Sequence, residues 1–148
     1  MKKYKGLDCV LLVDDEASTN FLHRKIVQTS NVAVDVKIIS SASEALEYLK
    51  SSVQDGNGEE VKPGIIFLDI NMPGMNGWDF MEEYKKLNPD QKAKIVVIML
   101  TTSLNPDDQE LASRDSEIVT FMHKPLSRDA FNGIVSTYFE ELSSEENQ

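Results

Sequence analysis

Long hydrophobic runs, cysteine and basic charge are all scarce in this sequence of 148 residues. No apolar stretch approaches the roughly 18 residues that a bilayer-spanning helix needs. The N-terminus lacks the apolar core of a signal peptide, because Gly6 and Asp8 interrupt it at once. The single cysteine, Cys9, excludes a disulfide within the chain and indicates a reducing compartment. We therefore expect a cytoplasmic protein that does not contact a membrane.

Basic residues are outnumbered, since 15 Lys and Arg stand against 25 Asp and Glu and give a formal net charge of −10. An acidic chain repels a phosphate backbone, so direct binding of DNA or RNA is disfavoured. The lysines near the N-terminus (Lys2, Lys3, Lys5) are interpreted as a solvated end. The length fits one domain over residues 1–148, and the 41% hydrophobic and 27% charged content is typical of globular domains.

Four short apolar runs and one alternating run predict five strands. Unbroken runs of aliphatic residues are typical of strands that are buried on both faces of a parallel sheet. An alternating pattern indicates an edge strand. The continuous runs are Cys9–Val13, Ile65–Leu68, Ile95–Leu100 and Val119–Met122, and the alternating run is Val34–Ile38.

Apolar residues at helical spacing lie between and after these runs. Asn105 and Pro106, followed by two acids, form a helix-start signal, and Ser127 is expected to cap the last helix. The alternation predicts an α/β domain with a five-stranded parallel sheet. The polar segment Ser51–Pro63 is expected to be a surface loop and Ser143–Gln148 a frayed tail. The helical sets are Ala17, Phe21, Leu22 and Ile26; Ala42, Ala45, Leu46 and Leu49; Trp78, Met81 and Tyr84; and Phe131, Ile134, Val135, Tyr138 and Phe139.

Polar side chains stand where the predicted buried strands end. Asp14 and Asp15 follow the first strand, Asp69 ends the third, Thr101 follows the fourth, and Lys124 comes shortly after the fifth. Ligands of open parallel sheets bind outside the carboxyl ends of the strands, so these five side chains are expected to converge. Each signal alone is equally well explained by an ordinary turn or helix start, and only their joint occurrence indicates a site.

The residue types at this edge predict its chemistry. Clustered carboxylates repel one another, so either their pKa values rise or a cation joins them. Oxygen ligands suit Mg²⁺, whereas Zn²⁺ is disfavoured because no Cys and no convincing His accompany the cluster. A lysine and a threonine hydroxyl add the charge and the donor that a phosphoryl group requires. Asp69 is the candidate covalent acceptor, because its neighbours supply metal ligands, donor and cation.

The motifs LLVDDE, IIFLDINMPGMNG, IVVIMLTTS and FMHKP together resemble the receiver-domain family of two-component response regulators. The resemblance covers residues 7–142 and leaves short, flexible ends. It implies a flavodoxin-like, CheY-like three-layer sandwich with helices on both faces of the sheet and strand order 2-1-3-4-5.

The resemblance also implies roles for residues of this sequence. Asp14, Asp15, Asp69 and the backbone carbonyl of Asn71 would hold Mg²⁺, for which Mn²⁺ could substitute. Asp69 would be the phosphoacceptor. Lys124 would pair with a phosphoryl oxygen, and its peptide bond to the following proline would be cis.

Further residues fall where the family places its switch. Thr101 would move to hydrogen-bond the phosphoryl group, and Phe121 occupies the position of the switch aromatic, although a strand core residue is an equally good interpretation. Thr102 stands where a small residue is usual and would restrict access to the phosphoryl group. Asn71 and Ser103 lie where side chains affect the lifetime of the aspartyl phosphate.

The function implied is that of a stand-alone response regulator, which is a switch and not an enzyme. A sensor histidine kinase or phosphotransfer protein would phosphorylate Asp69. The fourth helix, fifth strand and fifth helix would then bind a downstream protein, and the chain would be a monomer or a weak homodimer. His23 and His123 could in principle carry phosphate, but a structural role is preferred for both.

Three alternatives remain at this point. An aspartyl-phosphate phosphatase of the haloacid dehalogenase type would need a second Asp at the position of Asn71. A phosphate-independent interaction module with the receiver shape would be expected to lose an acidic ligand or Lys124, and all are present. Nucleotide binding is poorly supported, because no glycine-rich phosphate loop follows the first strand.

Overall fold

A computed structural model describes residues 1–51, 63–92, 95–102 and 105–142. These residues form a five-stranded parallel sheet in the order β2-β1-β3-β4-β5, as the resemblance implied. The strands are β1 (Cys9–Val13), β2 (Asp35–Ile39), β3 (Ile65–Asp69), β4 (Val96–Thr101) and β5 (Ile118–His123). The helices are α1 (Ala17–Gln28), α2 (Ala42–Lys50), α3 (Gly77–Tyr84), α4 (Pro89–Lys92), α5 (Pro106–Arg114) and α6 (Arg128–Tyr138).

The sheet lies in the middle of three layers, because successive strand residues point to opposite faces. Along β1, Leu11 and Val13 join one apolar cluster, and Val10 and Leu12 join the other. The first cluster includes residues of α2, α3 and α5, and the second includes residues of α1 and α6. Every residue of β1, β3 and β4 is buried, which explains their unbroken apolar runs.

Helix starts follow the sequence signals. Asn105 accepts a hydrogen bond from the backbone N–H of Asp107, with Pro106 as the first helical residue of α5. Ser127 accepts from the N–H of Ala130 at the start of α6. The predicted fourth and fifth helices are therefore α5 and α6, and the sequence pattern missed only the four-residue α4 among the described helices.

The buried face of α1 differs from the apolar pattern in the sequence. Phe21 and Leu22 are 61% and 44% exposed, whereas Asn20, His23 and Val27 are buried. These three buried positions follow helical spacing as well, but two of them are polar. Ile26 of the apolar set packs against the second apolar cluster, so hydrophobicity indicated only part of the buried face of this helix.

The N-terminal residues make backbone contacts with two other parts of the chain. The backbone of Lys2 pairs with residues 31–33, and Tyr4 bridges Glu141. The N–H of Leu142 donates to the carbonyl of Lys3 at 2.9 Å. The N-terminal segment thus pairs with the residues before β2 and with residues 140–142.

The loop between β3 and α3 depends on two glycines in different ways. Gly74 has φ +74°, a conformation that favours glycine. Gly77 begins α3, where an added Cβ would lie 2.9 Å from the carbonyl oxygen of Asp69 and 2.9 Å from Cα of Ile70. Gly77 is therefore required by close packing of the helix against the strand end rather than by a turn conformation.

The predicted loop Ser51–Pro63, apart from its two end residues, and the predicted tail Ser143–Gln148 lie outside the described residues. Among the helices that the structure describes, none combines the length and the apolar character needed to cross a bilayer.

Candidate functional site

The carboxyl ends of the strands bring the predicted polar residues to one edge of the sheet. Asp69 and Thr101 are the last residues of β3 and β4, and Asp14 and Lys124 directly follow β1 and β5. The parallel register aligns these ends, since Asp69 pairs with Leu100 immediately before Thr101. The strand-end pattern in the sequence therefore corresponds to proximity in space.

Lys124 lies between two buried carboxylates. Its Nζ is 2.6 Å from Oδ2 of Asp14 and 3.0 Å from Oδ1 of Asp69. All three residues are nearly inaccessible, at 8%, 3% and 4% exposure in the same order. Burial of two carboxylates is costly unless they are paired and hydrogen-bonded, and the ammonium group supplies that pairing.

Backbone N–H groups also donate to the same two carboxylates. The N–H of Glu16 donates to Oδ1 of Asp14 at 2.9 Å, and that of Asn71 donates to Oδ1 of Asp69 at 3.3 Å. These bonds orient both side chains toward Lys124. Asp15, in contrast, is exposed at the rim of the site.

The pKa shifts of Asp69 and Lys124 follow from their burial and their hydrogen bonds. Burial raises the pKa of the Asp69 carboxyl, and the hydrogen bond from Lys124 opposes that rise only in part. Burial alone would lower the pKa of Lys124, but its hydrogen bonds to Asp14 and Asp69 outweigh that effect and raise it. Lys124 therefore remains positively charged, and it lies beside the Asp69 carboxylate, whose charged form is disfavoured by burial.

The donor set fits a hard divalent cation. One carboxylate oxygen from each of Asp14, Asp15 and Asp69 lies within 4.8 Å of the others, and the group contains no Cys or His within the described part of the chain. Three carboxylates and one ammonium leave a formal charge of −2 at the site. Mg²⁺ or Mn²⁺ would balance that charge with the oxygen ligands that these ions prefer.

The backbone beside Lys124 is fixed to the neighbouring strand end. The N–H of Lys124 donates to the carbonyl oxygen of Thr101 at 2.7 Å. The Lys124–Pro125 peptide bond is cis, as the resemblance implied. Nδ1 of His123 contacts the carbonyl oxygen of Lys124, while the His123 side chain remains exposed.

The other candidate site residues named from the sequence differ in how far they are buried. Thr101 is fully buried, and Thr102 and Asn71 are exposed beside it. Phe121 is half-buried on β5, where it packs against the apolar cluster and borders a groove of about 570 Å³ between α5 and β5. Ser103 lies outside the described residues.

Two buried residues of α1 lie next to the site; His23 was named from the sequence with a structural role preferred, and Asn20 was missed. The side-chain amide of Asn20 donates to the backbone carbonyl of Asp14 at 2.8 Å. Nε2 of His23 accepts from the backbone N–H of Leu126 at 3.1 Å. Their spacing of three residues, with Val27 one turn on, was the available signal, but the apolar Phe21 and Leu22 obscured it.

Comparison with known proteins finds a family and relatives that this chain resembles over most of its length. A family model described as the response regulator receiver domain matches residues 10–136. Response regulator Rcp1 from Synechocystis sp. is 30% identical over 138 residues, covering 90% of each chain.

Solved structures agree with this similarity. A two-component response regulator from Cytophaga hutchinsonii is 32% identical with a TM-score of 0.79, and covers 89% of this chain and 96% of its own. The Mn²⁺-bound form of Rcp1 is 31% identical with a TM-score of 0.68, and covers 92% of this chain and 97% of its own. The family match spans most of the sequence, and the chain belongs to the response regulator receiver-domain family of two-component signalling.

Proposed function

We propose that this receiver domain is a switch operated by phosphorylation of Asp69 in a Mg²⁺-dependent reaction. The donor would be a sensor histidine kinase or a phosphotransfer protein. The observation that carries the proposal is the position of Lys124 Nζ, 2.6 Å from Asp14 and 3.0 Å from Asp69 at the carboxyl edge of the sheet. Positioning and neutralisation of charge are what phosphoryl transfer demands of a protein.

The residues of the chain have distinct parts in this reaction. An Asp69 carboxylate oxygen would form a bond to phosphorus while the bond from phosphorus to the donor breaks, with its electron pair leaving on the donor. Lys124 already contacts Asp69, so its ammonium is near enough to meet an oxygen of the arriving phosphoryl group. The hydroxyl of Thr101 is the candidate donor to another phosphoryl oxygen, because this residue ends the neighbouring strand.

The divalent cation would be held by Asp14, Asp15 and Asp69 with the backbone carbonyl of Asn71. It would supply neutralisation of the phosphoryl oxygens and of the excess negative charge. The Mn²⁺-bound form of Rcp1 supports this part of the proposal, as does the oxygen-only donor set of the carboxylate group.

The output would pass through the face formed by α5, β5 and α6. A shift of Thr101 toward the phosphoryl group would vacate space at the end of β4. Phe121, two residues before the β5 partner of Thr101, is the aromatic that would repack. The groove that Phe121 borders leaves room for such a change. Phe121 has no hydroxyl, so the coupling works by packing, and the altered face would bind a downstream protein.

Beryllofluoride, which mimics an aspartyl phosphate, tests the proposal. We expect a Mg²⁺-dependent bound signal in ¹⁹F NMR for the wild type and none for Asp69→Asn. Asp115→Asn is the matched control, because Asp115 is also buried but pairs with Lys85 away from the site edge. A signal of equal strength in Asp69→Asn would contradict the assignment of Asp69. Steady turnover of p-nitrophenyl phosphate would instead favour a phosphatase.

A further inference from the structure

Helix α1 buries two polar side chains on the face that meets the sheet. Asn20 and His23 are 3% and 2% exposed, while the apolar Phe21 and Leu22 face outward. A buried polar group is unfavourable unless its hydrogen bonds are made, and an apolar residue would pack at either position without that requirement. Packing therefore does not explain why this face is polar.

The contacts of these two side chains give an explanation. Asn20 holds the backbone carbonyl of Asp14 at 2.8 Å, and His23 holds the backbone N–H of Leu126 at 3.1 Å. Asp14 follows β1, and Leu126 lies two residues beyond Lys124. One helix is thus bonded to both chain segments whose side chains meet in the ion pair of Lys124 with Asp14.

Lys124 is fixed on both sides by hydrogen bonds of the main chain. The backbone N–H of Lys124 itself donates to the carbonyl oxygen of Thr101 at 2.7 Å. After Lys124, the N–H of Leu126 is held by His23. A lysine ammonium stands on a flexible four-carbon stem, so its reach depends on where the backbone places that stem.

His23 is in the right protonation state to act as an acceptor. Nε2 can accept from Leu126 only in a neutral ring with its proton on Nδ1. Burial lowers the pKa of His23; the nearby Asp14 carboxylate opposes this and Lys124 adds to it. The lowered pKa and the hydrogen bond from Leu126 both favour the neutral ring.

We infer that His23 is a positioning residue: by holding the N–H of Leu126, its buried imidazole fixes the segment that carries Lys124 and sets the place of the ammonium between Asp14 and Asp69. The consequence for phosphorylation rests on the function proposed above. The structural half of the inference does not, because it concerns only contacts between groups of the protein itself.

The rival interpretation is that His23 only satisfies a buried N–H group and contributes stability. The variants to compare are His23→Leu, which removes the acceptor, and His23→Gln, whose side-chain oxygen can replace Nε2. Val27→Ala on the same buried face is the matched control for lost stability, since Val27 is fully buried in the apolar cluster. If His23→Leu does not fold, His23→Met carries the same test, because its unbranched side chain adapts to irregular space.

The first measurement uses NMR of the free protein and needs no phosphorylation. We expect His23→Leu to lose hydrogen-exchange protection at the Leu126 amide and to shift the side-chain signal of Lys124. His23→Gln should retain both, and Val27→Ala should leave the Lys124 signal unchanged. An unchanged Lys124 signal in His23→Leu would overturn the inference, whatever happens to stability.

The second measurement is the rate of phosphorylation by acetyl phosphate at saturating Mg²⁺. Displacement of a charged group from its working position predicts a rate about tenfold lower for His23→Leu, with His23→Gln and Val27→Ala near the wild type.

In a double-mutant cycle, His23→Leu should have no further effect on this rate once Lys124 is replaced by alanine. An equal further loss in the Lys124→Ala background would overturn the inference. Absence of any phosphorylation of the wild type would count against the proposed function alone, and the NMR result would still decide the role of His23.

Discussion

Lys124 and Asp14 are 110 residues apart in the chain, yet their side chains meet at 2.6 Å in a buried ion pair. The pairing depends on the central strands of the sheet, because β1 and β5 are separated by β3 and β4. Both side chains reach inward over the ends of these strands. The site is therefore a product of the whole sheet and not of a local segment.

Replacement of Lys124 by methionine should destabilise the protein when Mg²⁺ is absent. The variant leaves the buried Asp14 and Asp69 carboxylates without their shared cation, and breaking such a pair typically costs about 3 kcal/mol. Mg²⁺ should then stabilise the variant more than the wild type, because the ammonium no longer competes for the carboxylates. Urea unfolding with and without Mg²⁺ measures both effects.

Lys86→Met is the control for this experiment. Lys86 pairs with Glu83 at 3.2 Å, but 70% of its side chain is exposed. Exposed pairs contribute about 0–1 kcal/mol, so we expect little change and no dependence on Mg²⁺. No stabilisation of either protein by Mg²⁺ would argue against a metal site among these carboxylates, and equal stabilisation of both would argue against competition by the ammonium.

Asp69→Asn should stabilise the metal-free protein at neutral pH. Burial raises the pKa of Asp69 in the folded state, so the folded state binds this proton more readily than the unfolded chain. The free energy of unfolding of the wild type therefore falls as the pH rises from the ordinary carboxyl pKa to the raised pKa of Asp69 in the folded state. We expect a gain of about 1 kcal/mol at pH 7, or about 2–4 °C in melting temperature, as is usual for stabilising replacements. The gain should vanish in acid, and a lower melting temperature for Asp69→Asn at pH 7 would show that the ion pair outweighs burial.

Gly77→Ala should lower stability by about 1–3 kcal/mol, because the new methyl group would lie 2.9 Å from backbone atoms of Asp69 and Ile70. Displacement of the Asp69 backbone should also weaken Mg²⁺ binding. Gly133→Ala is the matched control within helix α6, where no described atom lies within 4 Å of an added Cβ. There the better helix propensity of alanine predicts a gain of about 1 kcal/mol. Equal losses in chemical denaturation of the two variants would contradict the packing argument.

The side chain of Trp78, the only tryptophan in the sequence, offers a reporter for α5. Its indole N–H donates to Oδ1 of Asp108 at 2.9 Å and so joins α3 to α5. Asp108→Ala should change the fluorescence of Trp78 and lower stability by about 0.5–1.5 kcal/mol. Asp107→Ala, which removes the same charge from the same helical turn, should leave the emission unchanged. If both variants alter the emission alike, the effect is one of charge and not of this hydrogen bond.

The strands and their succession along the chain could be predicted because burial on both faces demands short, unbroken aliphatic runs. The bounds of β1 agree fully with the run Cys9–Val13, and those of the other strands differ by at most one residue at each end. The helix starts at Asn105 and Ser127 were predictable because capping uses local chemistry. The spatial order of the strands came from the family resemblance, since no local pattern encodes it.

The inner face of α1 could not be predicted from hydrophobicity. Asn20 and His23 are buried because they bond to backbone groups of Asp14 and Leu126, and such partners are set by the tertiary fold. The backbone pairing of the N-terminal residues with residues 140–142 was missed for a similar reason, because isolated β-bridges leave no periodic signal in the sequence. The strand-end carboxylates were found because the parallel sheet itself aligns them.

The central claim is that Asp69 accepts a phosphoryl group with the help of a divalent cation. The most direct test is the intact mass of the pure protein after incubation with acetyl phosphate and Mg²⁺. We predict a gain of one phosphoryl group in the wild type, and none in Asp69→Asn or when Mg²⁺ is withheld. A gain that persists in Asp69→Asn, or no gain in a folded wild type that also fails to bind beryllofluoride, would contradict the account.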